Sequence, residues 1–322
     1  MTDTLSIVVL RGTTHGLPAR EYAAALRERL PDCDVRLART PHEEREYVAD
    51  ADVVTGESID GDRLDRAGDL RLFACSWAGT EHLPWEALRE RDVTVTNAAG
   101  IHAPNIAETV LGFVLTFARR LHEGWRRTRN REWRHFQGYE LQGSTVTVVG
   151  MGSIGTATLE RFAGFGVDTV GVRHSPEKGG PADEVVGYDE RAVHDALARS
   201  EYVVLACPLT ETTRGFFDEE AFKTLPPEAV LVNVGRGKVV DTAALTDALD
   251  RQSIRGAALD VVDPEPLPAD HRLWRFENVL ITPHNAGHSP EHWPRLADIL
   301  AENVERLREA EGGDLRNEVD PS

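Results

Sequence analysis

The stretch Thr145-Val-Thr-Val-Val-Gly150-Met-Gly152-Ser-Ile-Gly155 decides the fold. Its first five residues are all β-branched, as expected of a strand buried on both faces, and they run straight into glycines at the spacing GxGxxG. The residues that follow, TATLERFAGFG, have a helical pattern. A strand feeding a glycine loop that opens a helix is the context a dinucleotide-binding motif requires. In that reading Gly150 permits the tight turn, Gly152 lets the backbone approach a pyrophosphate and Gly155 allows close helix packing. The helix N-terminus adds positive potential, to which the first-turn residues Ser153 and Ile154 belong. A purely structural glycine turn could use the same residues, so the flanking chain has to separate the two.

Downstream, further apolar runs recur at Thr169 to Val172, Tyr202 to Ala206, Ala229 to Asn233, Ala257 to Val261 and Val279 to Thr282, which with Thr145 to Val149 match the strand count of a dinucleotide-binding unit. Upstream, β-branched runs at Ile7 to Leu10, Val35 to Leu37, Val53 to Thr55, Leu70 to Cys75 and Val93 to Thr96 alternate with helical patterns, which predicts a second parallel sheet with crossover helices. The rhythm breaks at NAAGIHAPNIAE, residues 97 to 108, ahead of a helical pattern that runs to about His122, and a hinge is expected near Gly100. After Pro283 a broken stretch containing Gly287, Pro290 and Pro294 leads into an amphipathic helix through Leu296, Ile299, Leu300, Val304 and Leu307. The fold class is therefore α/β, with two doubly wound, Rossmann- or flavodoxin-like parallel-sheet domains.

At 322 residues and 41% hydrophobic content the chain can bury ordinary cores. Acidic residues number 54 against 36 basic ones, a formal charge of -18, and only Lys178, Lys223 and Lys238 are lysines. Such a surface repels nucleic acid and acidic membranes, so neither is expected as a partner. Many acids with few lysines also suit concentrated salt, where self-repulsion is screened. The cysteines, Cys33, Cys75 and Cys207, are scattered and form no CxxC pair, which fits a reducing cytoplasm. MTDTLSIVVLRG is too short in apolar residues for a secretory leader, and the longest later apolar stretch, Val110 to Phe117, is far too short to span a bilayer.

An NAD-binding second strand commonly ends in an acid that holds the ribose hydroxyls. Here it ends Gly171-Val-Arg173-His174-Ser175-Pro176, with no carboxylate until Glu177. Arg173 can stack on adenine and pair with a 2′-phosphate, and the Ser175 hydroxyl can donate to the same group, so NADP preference or dual use of NADP and NAD is expected. A solvated turn holding NAD weakly is the alternative.

Three successive strands of this unit end in residues that packing does not need: LVNVGRG gives Arg236, LDVVDPEP gives Asp260 and Glu265, and ITPHNAG gives His284. In open α/β sheets the ligand crevice lies beyond the carboxyl ends of the strands. Each residue alone has an ordinary reading as a loop cation, a turn acid or a satisfied histidine. Together they suit reduction of a 2-keto acid: a guanidinium grips carboxylate and carbonyl oxygen, and an imidazolium delivers a proton as hydride arrives. A carboxylate bonded to that ring favours its charged form and fixes its tautomer. His284, His288 and His292 have a spacing that would line one helical face, but Pro283, Gly287 and Pro290 interrupt any such helix, so no metal is assigned.

These residues resemble the D-isomer-specific 2-hydroxyacid dehydrogenases over nearly the whole chain, through AGTEHL at 78 to 83, GIHAPNIAE, GMGSIG, CPLTETT at 207 to 213, NVGRG, LDVVDPEPLP and TPHNAG in family order. The resemblance implies a substrate-binding domain, residues 1–99 completed by 288–322, and a dinucleotide-binding domain, residues 100–287, separated by an active-site cleft. It implies that Arg236 binds substrate, that His284 is the acid/base with Glu265 as partner, and that Asp260 lies near the nicotinamide. Backbone at Ala78 and Gly79 is expected to hold the substrate carboxylate, and Met151, Ser153, Ile154, Pro208, Thr213, Val234 and Gly287 to line the cofactor. A homodimer built around the cofactor domain is also implied. The Arg173-His174-Ser175 stretch departs from the usual NAD pattern. The activity expected is NAD(P)H-dependent reduction of small 2-keto acids to D-2-hydroxy acids and its reverse, the alternative being a nucleotide-sensing, corepressor-like relative with little turnover.

Overall fold

The structure, a computed structural model, describes residues 4–309 and 314–319. The chain divides into a terminal unit, Met1–His102 with His288–Ser322, and a central unit, Ala103–Gly287. Parts of the segment expected to complete the first domain, residues 310–313 and 320–322, lie outside the described residues.

In the terminal unit the strands are β1 (Ser6–Val9), β2 (Thr13–Thr14), β3 (Leu17–Pro18), β4 (Asp34–Leu37), β5 (Val53–Gly56), β6 (Leu72–Cys75) and β7 (Thr94–Thr96). Five of them form a parallel sheet in the order β4-β1-β5-β6-β7, while β2 and β3 make a small antiparallel hairpin. Side chains alternate across the strands, so both faces bury apolar surface. Ile7, Val9, Val53, Leu72 and Ala74 pack on one side with Tyr22, Leu26, Trp293, Leu296 and Leu300, whereas Val8, Val54, Phe73 and Cys75 pack on the other with Ile59, Leu64 and Leu88. Helix α1 (Ala19–Arg29) supplies Tyr22 and Leu26, with Glu21 in its first turn and Arg27 and Arg29 in its last, each sign matching the helix dipole. The crossovers α2 (Pro41–Tyr47), α3 (Gly61–Leu64) and α4 (Trp85–Arg89) are short. The C-terminal helix, His292–Arg308, returns to pack on α1.

The central unit holds β8 (Thr145–Val149), β9 (Asp168–Val172), β10 (Glu184–Val186), β11 (Tyr202–Leu205), β12 (Val230–Asn233), β13 (Gly256–Leu259) and β14 (Val279–Ile281), all parallel in the order β10-β9-β8-β11-β12-β13-β14. Six strands are visible in the sequence; the seventh, β10, is an edge strand of three partly exposed residues that follows Gly179-Gly180-Pro181. Its shortness and lack of a buried face hide it from a pattern search. The helices are α5 (Ala103–Ala118), α6 (Leu121–Asn130), α7 (Ser153–Phe162), α8 (Glu190–Leu197), α9 (Glu219–Thr224) and α10 (Thr242–Asp250). Ile106, Val110, Phe113, Val114 and Phe117 of α5 bury against Val146, Val148, Val204 and Val232 on one face of the sheet; Val203, Leu205, Leu231, Ala257 and Leu259 bury on the other. The helix expected to reach His122 ends at Ala118 because Arg120 takes a left-handed conformation, φ 51°, and restarts the chain as α6. An arginine is an uncommon residue for that conformation, and FARRLHE, residues 117–123, carries no glycine or proline to announce the stop.

Candidate active site

The chain leaves β8 towards β9 and β10 on one side and returns to β11 on the other, so the loops after β8 and β11 flank a topological switch point. Gly150, the first residue after β8, has φ 96°, and a Cβ there would lie 2.6 Å from the Cys207 backbone. A Cβ at Gly155 would lie 1.9 Å from the Gly150 carbonyl oxygen. Gly152 differs: it needs no positive φ, and a Cβ on it would meet nothing within 4 Å. It is also the N-cap of α7 and offers no side chain to the first-turn N–H groups. Open space beside uncapped amides is the arrangement an anionic pyrophosphate fits. Burial pushes the neighbouring Cys207 thiol up to about 11, which keeps it unionised beside the loop.

The remaining loop residues fall in different surroundings. Met151 is buried, its thioether over Gly171 and Gly180, where a Cβ would come within 2.2 Å and 2.3 Å. Ser153 is exposed and Ile154 packs against Ala103, Ala107 and Ala157. Past β9, the Arg173 N–H donates to Val186 and its Nη1 to the Gly179 carbonyl at 2.6 Å, so the guanidinium closes the 174–179 loop with part of its donor set. His174 is exposed, and the Ser175 carbonyl accepts from Lys178 N–H. After β11 the Thr213 hydroxyl donates to the Pro208 carbonyl at 2.6 Å and accepts from Thr210 N–H, folding Pro208 to Thr213 into a tight loop. Val234 is buried at the end of β12, and Gly287 ends the central unit.

Strands β12, β13 and β14 stop level with one another, with Asn233, Leu259 and Ile281 in register. Arg236, Asp260 and His284 therefore emerge from the same edge of the sheet. Asn233, which is 1% exposed, accepts from Gly235 N–H at 3.1 Å and donates to the Arg236 carbonyl at 3.1 Å, fixing the loop that carries the exposed Arg236. One guanidinium nitrogen of Arg236 rests on the Gly235 carbonyl at 2.8 Å. Sequence reading passed over Asn233; its signal is an amide ending an otherwise apolar strand, Val230-Leu-Val-Asn233.

Asp260 is 3% exposed and works as a loop organiser: its carboxylate accepts from the Thr282 hydroxyl at 2.5 Å and from the N–H groups of Asn285 and Ala286, both at 3.0 Å. The Asp260 carbonyl accepts from His284 N–H at 2.8 Å, and His284 itself has φ 53°, in the left-handed region that few non-glycine residues occupy. So placed, His284 Nδ1 lies 2.8 Å from Glu265 Oε2, while Glu265 Oε1 accepts from Val262 N–H at 3.1 Å. Both side chains are reachable by solvent, 52% and 38% exposed. The pair predicted from residues far apart in sequence is thus in direct contact. With Nδ1 engaged, Nε2 is the ring atom left for a reacting group. Ala78 and Gly79 belong to the terminal unit, where the Ala78 carbonyl accepts from Asn97 Nδ2 at 2.7 Å. A groove of about 810 Å³ in the central unit, lined among others by Arg120, Glu123, Tyr139 and Asn278, includes none of the strand-end residues. Converging charged groups identify the site better than volume does.

Residues 111–286 match the family described as D-isomer specific 2-hydroxyacid dehydrogenase, NAD binding domain. A glyoxylate reductase of Pyrococcus furiosus is 33% identical over 278 residues, 83% of this chain and 82% of that protein. The crystal structure of a D-isomer specific 2-hydroxyacid dehydrogenase from Xanthobacter autotrophicus Py2, in complex with NADPH and MES, is 30% identical with a TM-score of 0.79, covering 99% of this chain and 98% of that one. A D-isomer specific 2-hydroxyacid dehydrogenase family protein from Aeromonas salmonicida is 27% identical with a TM-score of 0.81, and 99% of each chain is covered. On the extent of these matches, together with the glycine loop and the three strand-end motifs, the chain belongs to the D-isomer-specific 2-hydroxyacid dehydrogenase family.

Proposed function

We propose that the protein reduces small 2-keto acids to D-2-hydroxy acids, and catalyses the reverse, with Arg236 as substrate clamp and His284 as acid/base. The observation that carries this reading is the 2.8 Å contact of His284 with Glu265 on the sheet edge that also presents Arg236. A nicotinamide dinucleotide, with its pyrophosphate at the glycine loop of Gly150, Gly152 and Gly155, would supply the hydride for the carbonyl carbon when bound. The protein's own part is positional and protic. The Arg236 fork engages carboxylate and carbonyl oxygen, which orients the carbon; His284 Nε2–H gives its proton to the carbonyl oxygen; Glu265 holds the ring by Nδ1 and offsets its positive charge. In the reverse direction Nε2 takes the hydroxyl proton.

The nucleotide preference in this reading is NADP, or both nucleotides, with Arg173 and Ser175 meeting the 2′-phosphate. It is supported by the missing carboxylate at the end of β9 and by the relative solved with NADPH. The pairing of Arg173 with Gly179 places the guanidinium on the loop that follows β9. The functional unit in this reading is a homodimer. Trp125, Trp133 and Tyr139 of α6 and the segment after it are 60%, 102% and 44% exposed, and in this reading a second copy of the chain covers them. Sedimentation should then show Trp133→Glu shifted towards monomer, and an unshifted profile removes that face from the interface. A reducing cytoplasm suits the free cysteines Cys33, Cys75 and Cys207. Among the described residues no helix is long and apolar enough to cross a membrane.

A panel of 2-keto acids assayed with NADPH and NADH at several salt concentrations tests the activity. Tight nucleotide binding without turnover on any of them would overturn it in favour of a sensing protein. For the nucleotide, one charge-assisted contact contributes about 1.5 to 3 kcal/mol, so Arg173→Ala should weaken NADPH binding by roughly ten- to a hundredfold and NADH binding much less. An equal loss for the two would show that Arg173 does not read the phosphate.

A further inference from the structure

The terminal unit gathers a second set of histidines, apart from His284. One ligand-capable atom from each of His15, His102 and His292 lies within 4.8 Å of the other two. Ring centroids are 5.2 Å apart for His15 and His102, 5.0 Å for His15 and His292, and 5.3 Å for His102 and His292, and His288 stacks on His15 at 4.2 Å. The residues come from three separate places in the sequence: the turn of the β2–β3 hairpin, the segment between β7 and α5, and the first residue of the C-terminal helix. Chain connectivity does not explain their meeting.

One detail points to a ligand. His292 is 1% exposed, and neither of its ring nitrogens hydrogen bonds to any described residue. A buried imidazole with both nitrogens unsatisfied is costly, and such a group calls for a water or ion as its partner. His15, with φ 54°, precedes Gly16, with φ 77°, in a two-residue hairpin turn. Histidine, like Asn and Asp, is among the residues that take the left-handed position of such a turn, so the hairpin holds the His15 ring at its tip.

We propose that His15, His102 and His292 form a binding site for a borderline divalent transition-metal ion, of which Zn²⁺ is the probe of choice. Three imidazoles with no carboxylate select the class that includes Zn²⁺, Cu²⁺ and Ni²⁺ over Mg²⁺ and Ca²⁺. With Zn–N bonds of about 2.0–2.1 Å, tetrahedral ligand nitrogens stand roughly 3.3 Å apart, so the rings close inward by small side-chain rotations as the ion enters. The fourth position falls to water or to an anion. The ion would tie the N-terminal hairpin to the C-terminal helix of the same unit, adding to stability in proportion to its occupancy. This set differs from the His284, His288 and His292 spacing that the sequence displays, and only His292 is common to both.

The test uses the full-length protein, freed of any affinity tag and stripped with a chelator, then titrated with Zn²⁺ by calorimetry. Wild type should take up one ion per chain with a dissociation constant of about 10 μM or tighter and should melt at higher temperature with Zn²⁺ than without. His292 is core, so its replacement confounds folding with binding; His15→Asn, which suits the left-handed turn, and His102→Gln are the informative variants. Each should weaken Zn²⁺ binding at least about tenfold, while His42→Gln, on an exposed surface, should bind as wild type does. Absence of saturable uptake by wild type, or wild-type affinity in either His15→Asn or His102→Gln, overturns the site. None of these readouts depends on dehydrogenase turnover.

Discussion

His284 in the central unit and His292 in the terminal unit are near neighbours in sequence and sit in opposite surroundings. His284 is 52% exposed on its side chain and has a carboxylate 2.8 Å from Nδ1. His292 is 1% exposed and is surrounded by imidazoles, in contact with those of His15 and His102. The carboxylate gives His284 a fixed partner at Nδ1, whereas burial, followed by the neighbouring imidazoles, pushes His292 down to about 3 and keeps it neutral. One ring is equipped to carry a proton; the other keeps its lone pairs. Residue type is the same in both, and partner and solvent access set the chemistry.

The contrast is most exposed to failure at His284. His284→Ala should reduce turnover on a 2-keto acid by roughly 10² to 10⁴ with nucleotide affinity retained, because it deletes the proton donor and leaves the glycine loop alone. Unchanged turnover would mean that the half-exposed ring has no proton role. Glu265→Gln is the next step down, since it keeps the shape and a hydrogen-bond acceptor and removes the charge. Loss of a charge-assisted bond of about 1.5 to 3 kcal/mol predicts a kcat lower by roughly ten- to a hundredfold at saturating substrate. A kcat equal to wild type would reduce Glu265 to a spacer.

What the sequence reveals of these two regions differs for a physical reason. The strands of the central sheet are continuous apolar runs, and parallel register brings their ends level, so Arg236, Asp260 and His284 could be placed at one edge from motif order alone. Strand β10 and the break at Arg120 escaped because one is a short edge strand and the other a left-handed arginine with no sequence marker. Asn233 and the buried carboxylate of Asp260 act through hydrogen bonds to loop backbone, which no spacing encodes. The histidines of the terminal unit escaped more completely. Their proximity depends on how the hairpin, the segment after β7 and the C-terminal helix pack, and periodicity within any one element is silent on that.

Asp260 tests whether the placement of His284 is as rigid as its φ implies. Asp260→Ala strands three donors, the Thr282 hydroxyl and the N–H groups of Asn285 and Ala286. At about 1–3 kcal/mol for each donor left unsatisfied in a buried site, and with water replacing some of the contacts, the variant should lose roughly 3 kcal/mol in denaturant unfolding. Stability within error of wild type would show that the loop is held elsewhere and that Asp260 serves the site directly.

The smallest effect expected belongs to a charge pair with no part in the chemistry, which asks whether pairing alone confers pH dependence. Glu123 on α6 accepts two 2.8 Å bonds from the Arg126 guanidinium and another from Arg127 Nε. The hydrogen bonds from Arg126, then those from Arg127, hold its carboxyl at about 2, below the ordinary value of 4.5. Because the folded value is the lower one, protons prefer the unfolded chain; the stabilisation is complete above pH 4.5 and is lost as pH falls towards 2. Glu123→Gln removes the titrating group and leaves an amide that still accepts from the same guanidinium groups. The melting temperature of wild type should therefore exceed that of the variant at pH 7, and the gap should shrink below pH 4.5 and close as pH approaches 2. Glu123 is largely buried but its partner Arg126 is 45% exposed on its side chain, so salt screens part of the pairing and the gap should also narrow at high ionic strength. A gap that is constant across pH and salt would mean that Glu123 acts by packing α6 through its neighbours, among them Arg127 over the Phe136 ring at 4.9 Å, and that its charge adds nothing.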